Sequence, residues 1–464
     1  WCITHASADY QDLYMERLRK TDGGFEYEYQ GEWKPAEHRR ETIHVRDGEP
    51  IEIDTVVTHH GPMVIVGVTW EKLNAGESTR ANVIAMHYTA LDRPNLGFTC
   101  LLPQLRATSV EELDEAMREW VDPCNSLTMA DVHGTIAYLH RGRVPIRSRA
   151  NGWLPVPGWT GEHEWQSDIP FEEWPRSTNP ETGWIATANN RVVGDDYPHY
   201  LSLDYAPPYR AMRVAERLSA LTEATIDDMQ SIHADRVSIP SRWFVEALSG
   251  ITLDDPLAEE ARTRLLAWDG VMDKHLVAPA IYAVTRDHLV RQLVGSHLLG
   301  DLAKTSMVGE PGVLGPASRL WGTIVTMLRD RDDTLLLENE TWDEVVATAL
   351  TNATIWLTQE LGEAIDDWRW ERLHRTNPIH PLAGAFPELA DLLNPPSVTL
   401  GGDADTVQAA GGFPGVGYLI NGTSVARYAF DTGDWDNSRW VSPLGASGHP
   451  GSKHYADQAP DWSE

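Results

Sequence analysis

The order of strand-like and helix-like patterns along the 464 residues constrains the fold more than any other feature. Residues 1–207 carry short alternating segments, residues 208–380 carry helical periodicity, and residues 381–464 return to short strands and Gly-rich loops. When helices interrupt a series of strands in this way, the strands before and after the interruption can share one core. The sequence therefore predicts an α+β fold in one composite domain, with the helical block inserted into it.

Turn and capping residues predict individual elements within these blocks. Asp47-Gly48 predicts a hairpin between strands that carry Ile43 and Ile51, and His133-Gly134 predicts a second hairpin within residues 129–140. A capping box at Ser109-x-x-Glu112 predicts a helix through Trp120. Further helix starts and one more hairpin are predicted from Thr225-x-x-Asp228, Asp255-Pro256, Thr341-x-x-Glu344 and the turn Asn421-Gly422.

The composition excludes several classes of function. A formal net charge of −31 disfavours binding to nucleic acid phosphates and to anionic lipids. The chain contains no run of 18 apolar residues, so no membrane span is expected. Three cysteines cannot all pair, although one bridge between Cys100 and Cys124 is compatible with the count.

Two clusters of aromatic and imidazole side chains invite functional interpretations. Adjacent histidines in a strand point to opposite faces, so His59 and His60 could not easily bind one zinc ion there. A structural turn is the favoured interpretation of these two residues. Residues 145–180 are predicted to be mostly loop and are rich in Trp. Their tryptophans could form a carbohydrate platform, but packing of a long irregular segment is the favoured interpretation.

The stretch Gly183–Arg191 predicts a strand that ends in a polar turn. Trp184 and Ile185 suit a strand, whereas Asn189 and Asn190 favour turn or left-handed backbone and leave two carboxamides at the strand end. Such ends commonly carry functional side chains.

Together with later segments, this stretch supports a family resemblance. Gly183–Asn190, followed by Asp195-Asp196-Tyr197-Pro198 and Tyr209-Arg210, resembles the β-subunit of penicillin-acylase-type N-terminal-nucleophile hydrolases. Further landmarks occur in collinear order at residues 1–18, His60-Gly61-Pro62, 130–134, 154–158, Trp268-Asp269-Gly270 and 452–458. The resemblance implies an αββα sandwich with a large helical insertion.

The resemblance also implies roles for three residues in amide hydrolysis. The Asn189 carboxamide and the backbone N–H of His5 would donate to the oxyanion, and Arg210 would shape the same site. The nucleophile would be the N-terminal Ser of a mature β-subunit, with its own α-amine as base, a few tens of residues before Trp1. The chain is therefore interpreted as a truncated fragment. A Cys2 nucleophile after loss of Trp1 and a His5 base are the less favoured alternatives.

A structural calcium ion is a further implication. Two carboxylates three residues apart, Asp9 and Asp12, would by themselves indicate a solvated acidic turn. The resemblance instead implies a Ca²⁺ site whose ligands are the side chains of Asp9, Asp12 and Asp204 and the carbonyls of Gln11 and Gly152.

The function expected from these features is that of an acylase, which cleaves the amide of an N-acylated small molecule. Acylases of β-lactams, acyl-homoserine lactones and lipopeptides share the landmarks, so the acyl chain is left open. By resemblance, the partner would be an α-subunit from the same autoprocessed precursor, and the location would be periplasmic or secreted. An inactive ligand-binding relative and a carbohydrate-binding or glycosidase-like protein are the alternatives.

Overall fold

The computed structural model describes residues 1–294, 315–412 and 417–464 of the chain. Two compact units divide it, Trp1–Ala206 and Pro207–Glu464. Within the described residues, no helix combines the length and the apolar character that crossing a membrane would require. The predicted grouping of residues 381–464 with residues 1–207 stays a prediction.

The first unit is built mainly from strands. Its strands are β1 (Cys2–His5), β2 (Gln11–Thr21), β3 (Gly24–Tyr29), β4 (Glu32–Pro35), β5 (Glu37–Ile43), β6 (Ile51–Thr58), β7 (Gly61–Ile65), β8 (Arg80–Tyr88), β9 (Asn125–Ala130), β10 (Ile136–Arg141), β11 (Pro145–Ile146), β12 (Val156–Pro157), β13 (Ser167–Asp168) and β14 (Arg176–Thr178). Its helices are α1 (Val68–Asn74), α2 (Thr89–Asp92), α3 (Leu101–Arg106) and α4 (Val110–Ala116), with 3₁₀ turns at Gly97–Cys100, Arg149–Gly152, Gly158–Thr160 and Phe171–Glu173.

The larger sheet of this unit has the strand order β4-β3-β2-β8-β7-β6-β5, and the short β12 pairs in parallel with β2. Strand β2 lies antiparallel to β8 from Gln11 opposite Tyr88 to Arg19 opposite Arg80. Alternate side chains of β2 are buried, and they include two carboxylates, Asp12 and Glu16. Since buried carboxylates need polar partners, β2 brings two polar clusters into this unit.

A second sheet has the order β1-β9-β10-β14, which makes β1 an edge strand. The predicted hairpin around His133-Gly134 is confirmed, because β9 and β10 pair antiparallel and Ala130 lies opposite Ile136. The predicted hairpin at Asp47-Gly48 is also confirmed, because β5 and β6 pair antiparallel up to Ile43 opposite Ile51, and Asp47 in the connecting loop has a left-handed φ of 58°.

The second unit is largely helical. Its helices are α5 (Tyr209–Ser219), α6 (Ile226–His233), α7 (Ile239–Ala247), α8 (Pro256–Leu266), α9 (Ala278–Leu293), α10 (Gly315–Asp330), α11 (Trp342–Leu361), α12 (Ala390–Leu393) and α13 (Ala459–Ser463). Its strands are β15 (Ala410–Gly411), β16 (Gly422–Thr423), β17 (Arg427–Ala429) and β18 (Arg439–Val441). Single 3₁₀ turns lie at Leu248–Gly250, Ile365–Asp367, Trp370–Arg372, Pro381–Ala383, Pro387–Leu389 and Trp435–Asn437.

The core of the second unit lies between α9 and α11. Both helices are buried along much of their length, with Ile281 and Val284 on the first and Val346 and Leu350 on the second at zero exposure. The predicted capping box at Thr341 is confirmed: Thr341 Oγ1 accepts from the Glu344 N–H, and the Glu344 carboxylate accepts from the Thr341 N–H at 3.0 Å. The predicted helix starts at Thr225 and at Pro256 are confirmed as well.

Two local expectations are wrong, and one possibility that the sequence left open is not realised. Helix α4 ends at Ala116 rather than at Trp120, because the N–H groups of Arg118 and Trp120 bond to carbonyls three residues back, as in a tight turn. Asn421-Gly422 forms no hairpin turn; Gly422 pairs with Gly411 instead, and neither residue has the positive φ that a type I′ turn requires. Cys100 and Cys124 are both free and buried, so the bridge that the cysteine count allowed does not form.

Candidate active site

The stretch Gly183–Arg191 lies beside the edge strand β1, but it does not form the predicted strand. Residues 184–187 are irregular, and a bend follows at residues 188–190. The segment is held to β1 by side chains, as the Thr4 hydroxyl donates to the Thr187 hydroxyl at 3.0 Å. A strand assignment needs a ladder of backbone hydrogen bonds, and side-chain contacts of this kind do not supply one.

Asn189 contacts the last residue of β1 directly. Its carboxamide Nδ2 donates to the backbone carbonyl of His5 at 2.9 Å, and the backbone carbonyl of Asn189 accepts from the Ala206 N–H at 3.0 Å. Asn189 has a φ of 65°, a left-handed conformation that Asn tolerates better than most residues. The predicted turn geometry at this residue is thereby found.

The backbone N–H and C=O of His5 point away from β9, toward the side on which Asn189 lies. The next residue, Ala6, donates its N–H to the Cys124 carbonyl at 3.2 Å, on the β9 side. Successive residues of a strand point their backbone groups to opposite sides, and the N–H and C=O of one residue point to the same side. The N–H of His5 therefore points in the same direction as the carbonyl that Asn189 contacts.

The imidazole of His5 is fixed by a backbone contact. The Ser7 N–H donates to His5 Nδ1 at 3.0 Å, and Ser7 takes a left-handed φ of 54° in doing so. Since Nδ1 accepts, the proton of the neutral ring lies on Nε2. In this tautomer Nδ1 is already engaged by Ser7, and the expectation that His5 contributes its amide stays a prediction.

Asn190 stabilises the turn around Asn189. Its Oδ1 accepts from the Ala188 N–H at 3.0 Å, and its Nδ2 donates to the Arg191 carbonyl at 2.8 Å. Both contacts are to backbone groups next to Asn190, the pattern of a side chain that fixes local geometry. The two neighbouring carboxamides therefore have different partners, one on β1 and one within the turn.

Cys2 lies at the other end of β1. Its thiol contacts the Thr128 hydroxyl at 2.6 Å, and the residue is exposed. Three residues of extended strand separate it from His5, which is about 10 Å. A Cys2 nucleophile would therefore start at about that distance from His5.

Arg210 belongs to the second unit, where it lies in the first turn of α5. Burial lowers the pKa of its guanidinium, and Asp405 acts in the opposite direction. Its predicted contribution to a site in the first unit stays a prediction.

The residues predicted to bind calcium fall into two groups. Asp12 is buried and its carboxylate accepts from Arg147 at 2.8 and 3.1 Å, from Asn151 at 3.1 Å and from the Trp165 indole at 2.6 Å. Its negative charge is thus paired with a guanidinium, which fits a calcium ligand poorly. Gln11, whose carbonyl was the second expected ligand, opens β2 opposite Tyr88.

Asp9, Gly152 and the residues before Asp204 lie close together. The Asp9 carboxylate accepts from the hydroxyls of Tyr200 and Ser202, and Ser202 also donates to the Asp204 carbonyl at 3.3 Å. A Cβ at Gly152 would lie 3.0 Å from Asp9 Oδ2. Burial raises the pKa of Asp9, because charge is costly away from water. This group of oxygens fits a hard cation better than Asp12 does, and the calcium site stays a prediction.

The sequence did not predict that Arg147 contacts Asp12 or that Tyr200 contacts Asp9. They lie 135 and 191 residues from the carboxylates that they contact. No local pattern marks either residue, since a pairing over such a separation depends on the tertiary fold.

Comparison with known proteins places these features in a family. A family model described as penicillin amidase matches residues 1–464. The penicillin acylase 2 proenzyme of Pseudomonas sp. (strain SE83) is 41% identical over all of this chain and 57% of its own length. An acyl-homoserine lactone acylase, QuiP, of Pseudomonas syringae pv. tomato is 26% identical over all of this chain and 57% of that protein.

A solved structure shows the fold. The thermostable penicillin G acylase of Alcaligenes faecalis aligns with all of this chain and 83% of its own chain, with a TM-score of 0.69 at 19% identity. The predicted fold class, α+β of the N-terminal-nucleophile hydrolase type, is confirmed. The chain spans 57% of the length of the curated relatives named above. Because the family model matches from the first residue to the last, the chain belongs to the penicillin amidase family.

Proposed function

We propose that this chain is part of an acylase that hydrolyses the amide bond of an N-acylated small molecule through an acyl-enzyme. The observation that carries the proposal is the hydrogen bond from Asn189 to His5 at the edge of β1, on the side to which the His5 N–H also points. The Asn189 carboxamide and the His5 backbone N–H are the proposed donors to the oxyanion.

The reaction needs a nucleophile and a base in addition to these donors. When a nucleophilic oxygen adds to the substrate carbonyl, the carbonyl oxygen becomes negatively charged, and donors held in place stabilise that charge without reorganising. The nucleophile in this proposal is a Ser that begins the mature chain and uses its own α-amine as base. We place it in a segment that precedes Trp1 in a longer precursor. The length of the curated relatives, of which this chain spans 57%, supports a longer precursor.

The substrate class follows from the relatives alone. The two curated relatives described above are named as acylases of penicillin and of acyl-homoserine lactones, and both names describe cleavage of an acyl group from an amide nitrogen. We extend that class to this protein, together with a partner subunit from the same precursor and an extracytoplasmic location. An inactive relative that keeps the pocket is the competing function.

The test compares two neighbouring carboxamides in the complete processed enzyme. Release of amine from penicillins and acyl-homoserine lactones would be measured for the unchanged enzyme, Asn189→Ala and Asn190→Ala. We expect Asn189→Ala to lower kcat by roughly a hundred- to a thousandfold with a smaller change in KM, because the oxyanion exists only in the transition state. Asn190→Ala should mainly lower thermal stability, as its contacts are to the turn.

Three outcomes would contradict the proposal. An unchanged complete enzyme that releases no amine from any N-acyl substrate would favour the inactive relative. Full turnover in Asn189→Ala with loss in Asn190→Ala would assign the donor to the wrong carboxamide. Full turnover in both variants would remove the edge of β1 from the catalytic machinery.

A further inference from the structure

Four ionisable side chains from three separate segments meet beside strand β2. His59 and His60 form the turn between β6 and β7, Glu16 lies on β2, and Glu164 lies in the loop before β13. His60 and Glu16 have no exposed side-chain surface, whereas the His59 and Glu164 side chains are each 32% exposed. The cluster is therefore closed on its inner side and open to solvent on its outer side.

The turn places both imidazoles on the same side of the chain. The expectation that adjacent histidines point apart holds for residues within a strand, but β6 ends at Thr58 and β7 begins at Gly61. The two rings lie with their centroids 3.7 Å apart. The turn predicted for these residues is confirmed. Because the two histidines lie in a turn rather than within a strand, their side chains do not point to opposite faces.

The potential ligand atoms have the spacing of a tetrahedral zinc site. Glu164 Oε1 lies 3.1 Å from His60 Nε2 and 3.4 Å from His59 Nε2, and the three atoms all lie within 4.8 Å of one another. Zinc binds imidazole nitrogen and carboxylate oxygen at about 2.0–2.2 Å, so two ligands at the corners of a tetrahedron are about 3.3 Å apart. Both distances to the carboxylate are close to this value.

A buried carboxylate supports the inner histidine from behind. His60 Nδ1 lies 2.7 Å from Glu16 Oε1, which also accepts from the Thr58 hydroxyl at 2.9 Å. Since Nδ1–H donates to Glu16, the neutral ring has its lone pair on Nε2, and that lone pair faces the Glu164 oxygen. Two acceptor atoms repel at 3.1 Å unless a proton or a metal ion lies between them. A carboxylate that accepts from the far nitrogen is the usual support of a zinc-bound histidine.

Rigid neighbours hold this arrangement in place. The Tyr14 ring stacks on His60 with centroids 3.7 Å apart and an interplanar angle of 8°. On another side, a Cβ at Gly158 would lie 2.8 Å from Glu16 Oε2 and 3.0 Å from His60 Nδ1, so glycine allows the backbone to approach closely. The positions of His60 and Glu16 are therefore fixed by packing before any ion binds.

We propose that His59 Nε2, His60 Nε2 and the Glu164 carboxylate bind a zinc ion, with water as the fourth ligand. Two imidazole nitrogens and one carboxylate suit zinc, whereas calcium requires a shell of oxygens. The ion links the β6–β7 turn to the loop that carries Glu164. This site is separate from the candidate active site at the edge of β1, and it does not depend on the proposed acylase activity.

The test is metal binding by the complete enzyme after removal of its metals with a chelator. Zinc affinity would be measured by calorimetry, and Co²⁺ would be titrated as a spectroscopic probe of zinc geometry. We expect the visible absorption of tetrahedral Co²⁺ in the unchanged enzyme. The variants His59→Ala and Glu164→Gln should each bind zinc at least about tenfold more weakly, as disruption even of supporting groups costs about 10–100-fold.

The matched control is His38→Ala, which removes another histidine–carboxylate pair. His38 Nε2 lies 2.8 Å from Asp54 on the neighbouring strands β5 and β6, and among the described residues this pair belongs to no three-ligand group. The His38→Ala variant should retain full zinc affinity and the Co²⁺ spectrum. Circular dichroism would establish that each variant is folded. If His59→Ala does not fold, Glu164→Gln still tests the site, because it preserves the size of the side chain.

Two results would overturn the proposal. The first is no zinc uptake by the unchanged enzyme, which would leave a protonated His60 bridging two carboxylates. The second is uptake with equal affinity in His59→Ala, Glu164→Gln and His38→Ala, which would place the ion elsewhere in the enzyme.

Discussion

Asn189 combines two requirements in one residue. The backbone must turn at a φ of 65°, and the side chain must reach the His5 carbonyl at 2.9 Å. Asn meets both because its short polar side chain tolerates the left-handed region and offers N–H donors. A glycine would meet the first requirement only, and a glutamine would fit the turn less well.

A second residue, His140 on β10, has an unusual environment for a polar side chain. It is buried, and neither ring nitrogen has a hydrogen-bond partner within residues 1–294, 315–412 and 417–464. Burial lowers the pKa of this imidazole to about 4. The folded protein therefore keeps the ring neutral at pH values where the unfolded chain protonates it.

We predict that His140 makes the protein sensitive to mild acid. The unfolded chain gains a proton near pH 6.5 and the folded protein only near pH 4, so the free energy of unfolding falls as the pH falls through this window. The loss approaches about 3 kcal/mol for a shift of this size. His140→Phe should flatten the dependence of Tm on pH between these values. His133→Phe, at an exposed site in the same hairpin, should not, and equal curves for both variants would contradict the prediction.

At the residue level, the sequence predicted what depends on neighbouring residues. The turn at Asn189 and the turn at His59-His60 follow from local chemistry, and both are found. The pairing of Asp12 with Arg147 joins residues 135 apart, and no local pattern indicates it. The charge of Asp12 is visible in the sequence, whereas the guanidinium that pairs with it is not.

Secondary-structure elements show the same division. The capping boxes at Thr225 and Thr341 use side chains three residues apart, so the sequence predicted both. Asn421-Gly422 is equally local, yet Gly422 pairs with Gly411 and the predicted hairpin does not form. In that case a tertiary strand pairing is favoured over an intrinsic turn preference.

At the element level we predict a calcium ion at Asp9, in the connection between β1 and β2. Asp9 is close to Gly152 and to the segment that leads to Asp204, so an ion there would join that connection to two later loops. In metal-free enzyme, added Ca²⁺ should raise Tm, because a ligand that binds only the folded state stabilises it. Asp9→Asn should abolish this response, and a response that persists in Asp9→Asn would contradict the site.

Asp12→Asn provides an informative comparison for the calcium prediction. Removal of one partner from a buried ion pair typically costs about 3–5 kcal/mol, because the other charge is left uncompensated. Asp12→Asn should therefore lower Tm in the absence of calcium, because Arg147 loses its charged partner. Added Ca²⁺ should still raise the Tm of this variant. His59→Ala should leave the calcium response intact, which separates this site from the zinc site.

For the whole molecule, the order of strand and helix blocks predicted an α+β fold, and the family resemblance predicted its N-terminal-nucleophile hydrolase type. The solved relative aligns over all of the chain with a TM-score of 0.69, although its sequence is only 19% identical. Block order survives such divergence because it depends on hydrophobic periodicity rather than on particular residues. The grouping of residues 381–464 with residues 1–207 stays a prediction, since it depends on long-range contacts that block order does not specify.

The surface of the first unit carries an apolar segment around α3. Phe98 and Leu105 are 83% and 82% exposed, and Leu101 and Leu102 beside them are 42% and 54% exposed. Single exposed apolar residues are common, but a contiguous group of this kind marks an interaction surface. The curated relatives are longer than this chain, and we expect the remaining part of the precursor to cover this segment.

The last prediction concerns that assembly. Expressed alone, residues 1–464 should self-associate, and co-expression with the rest of the precursor should give a stable complex in which residues 97–106 are protected from hydrogen exchange. The double variant Phe98→Ser/Leu105→Ser should weaken the complex, since it removes most of the exposed apolar surface of the segment. Leu154→Ser, at a site that is 73% exposed, serves as the control and should assemble normally. If the double variant and the control assembled equally well, the segment around α3 would not be the covered surface, because loss of two large apolar side chains from an interface core weakens binding measurably.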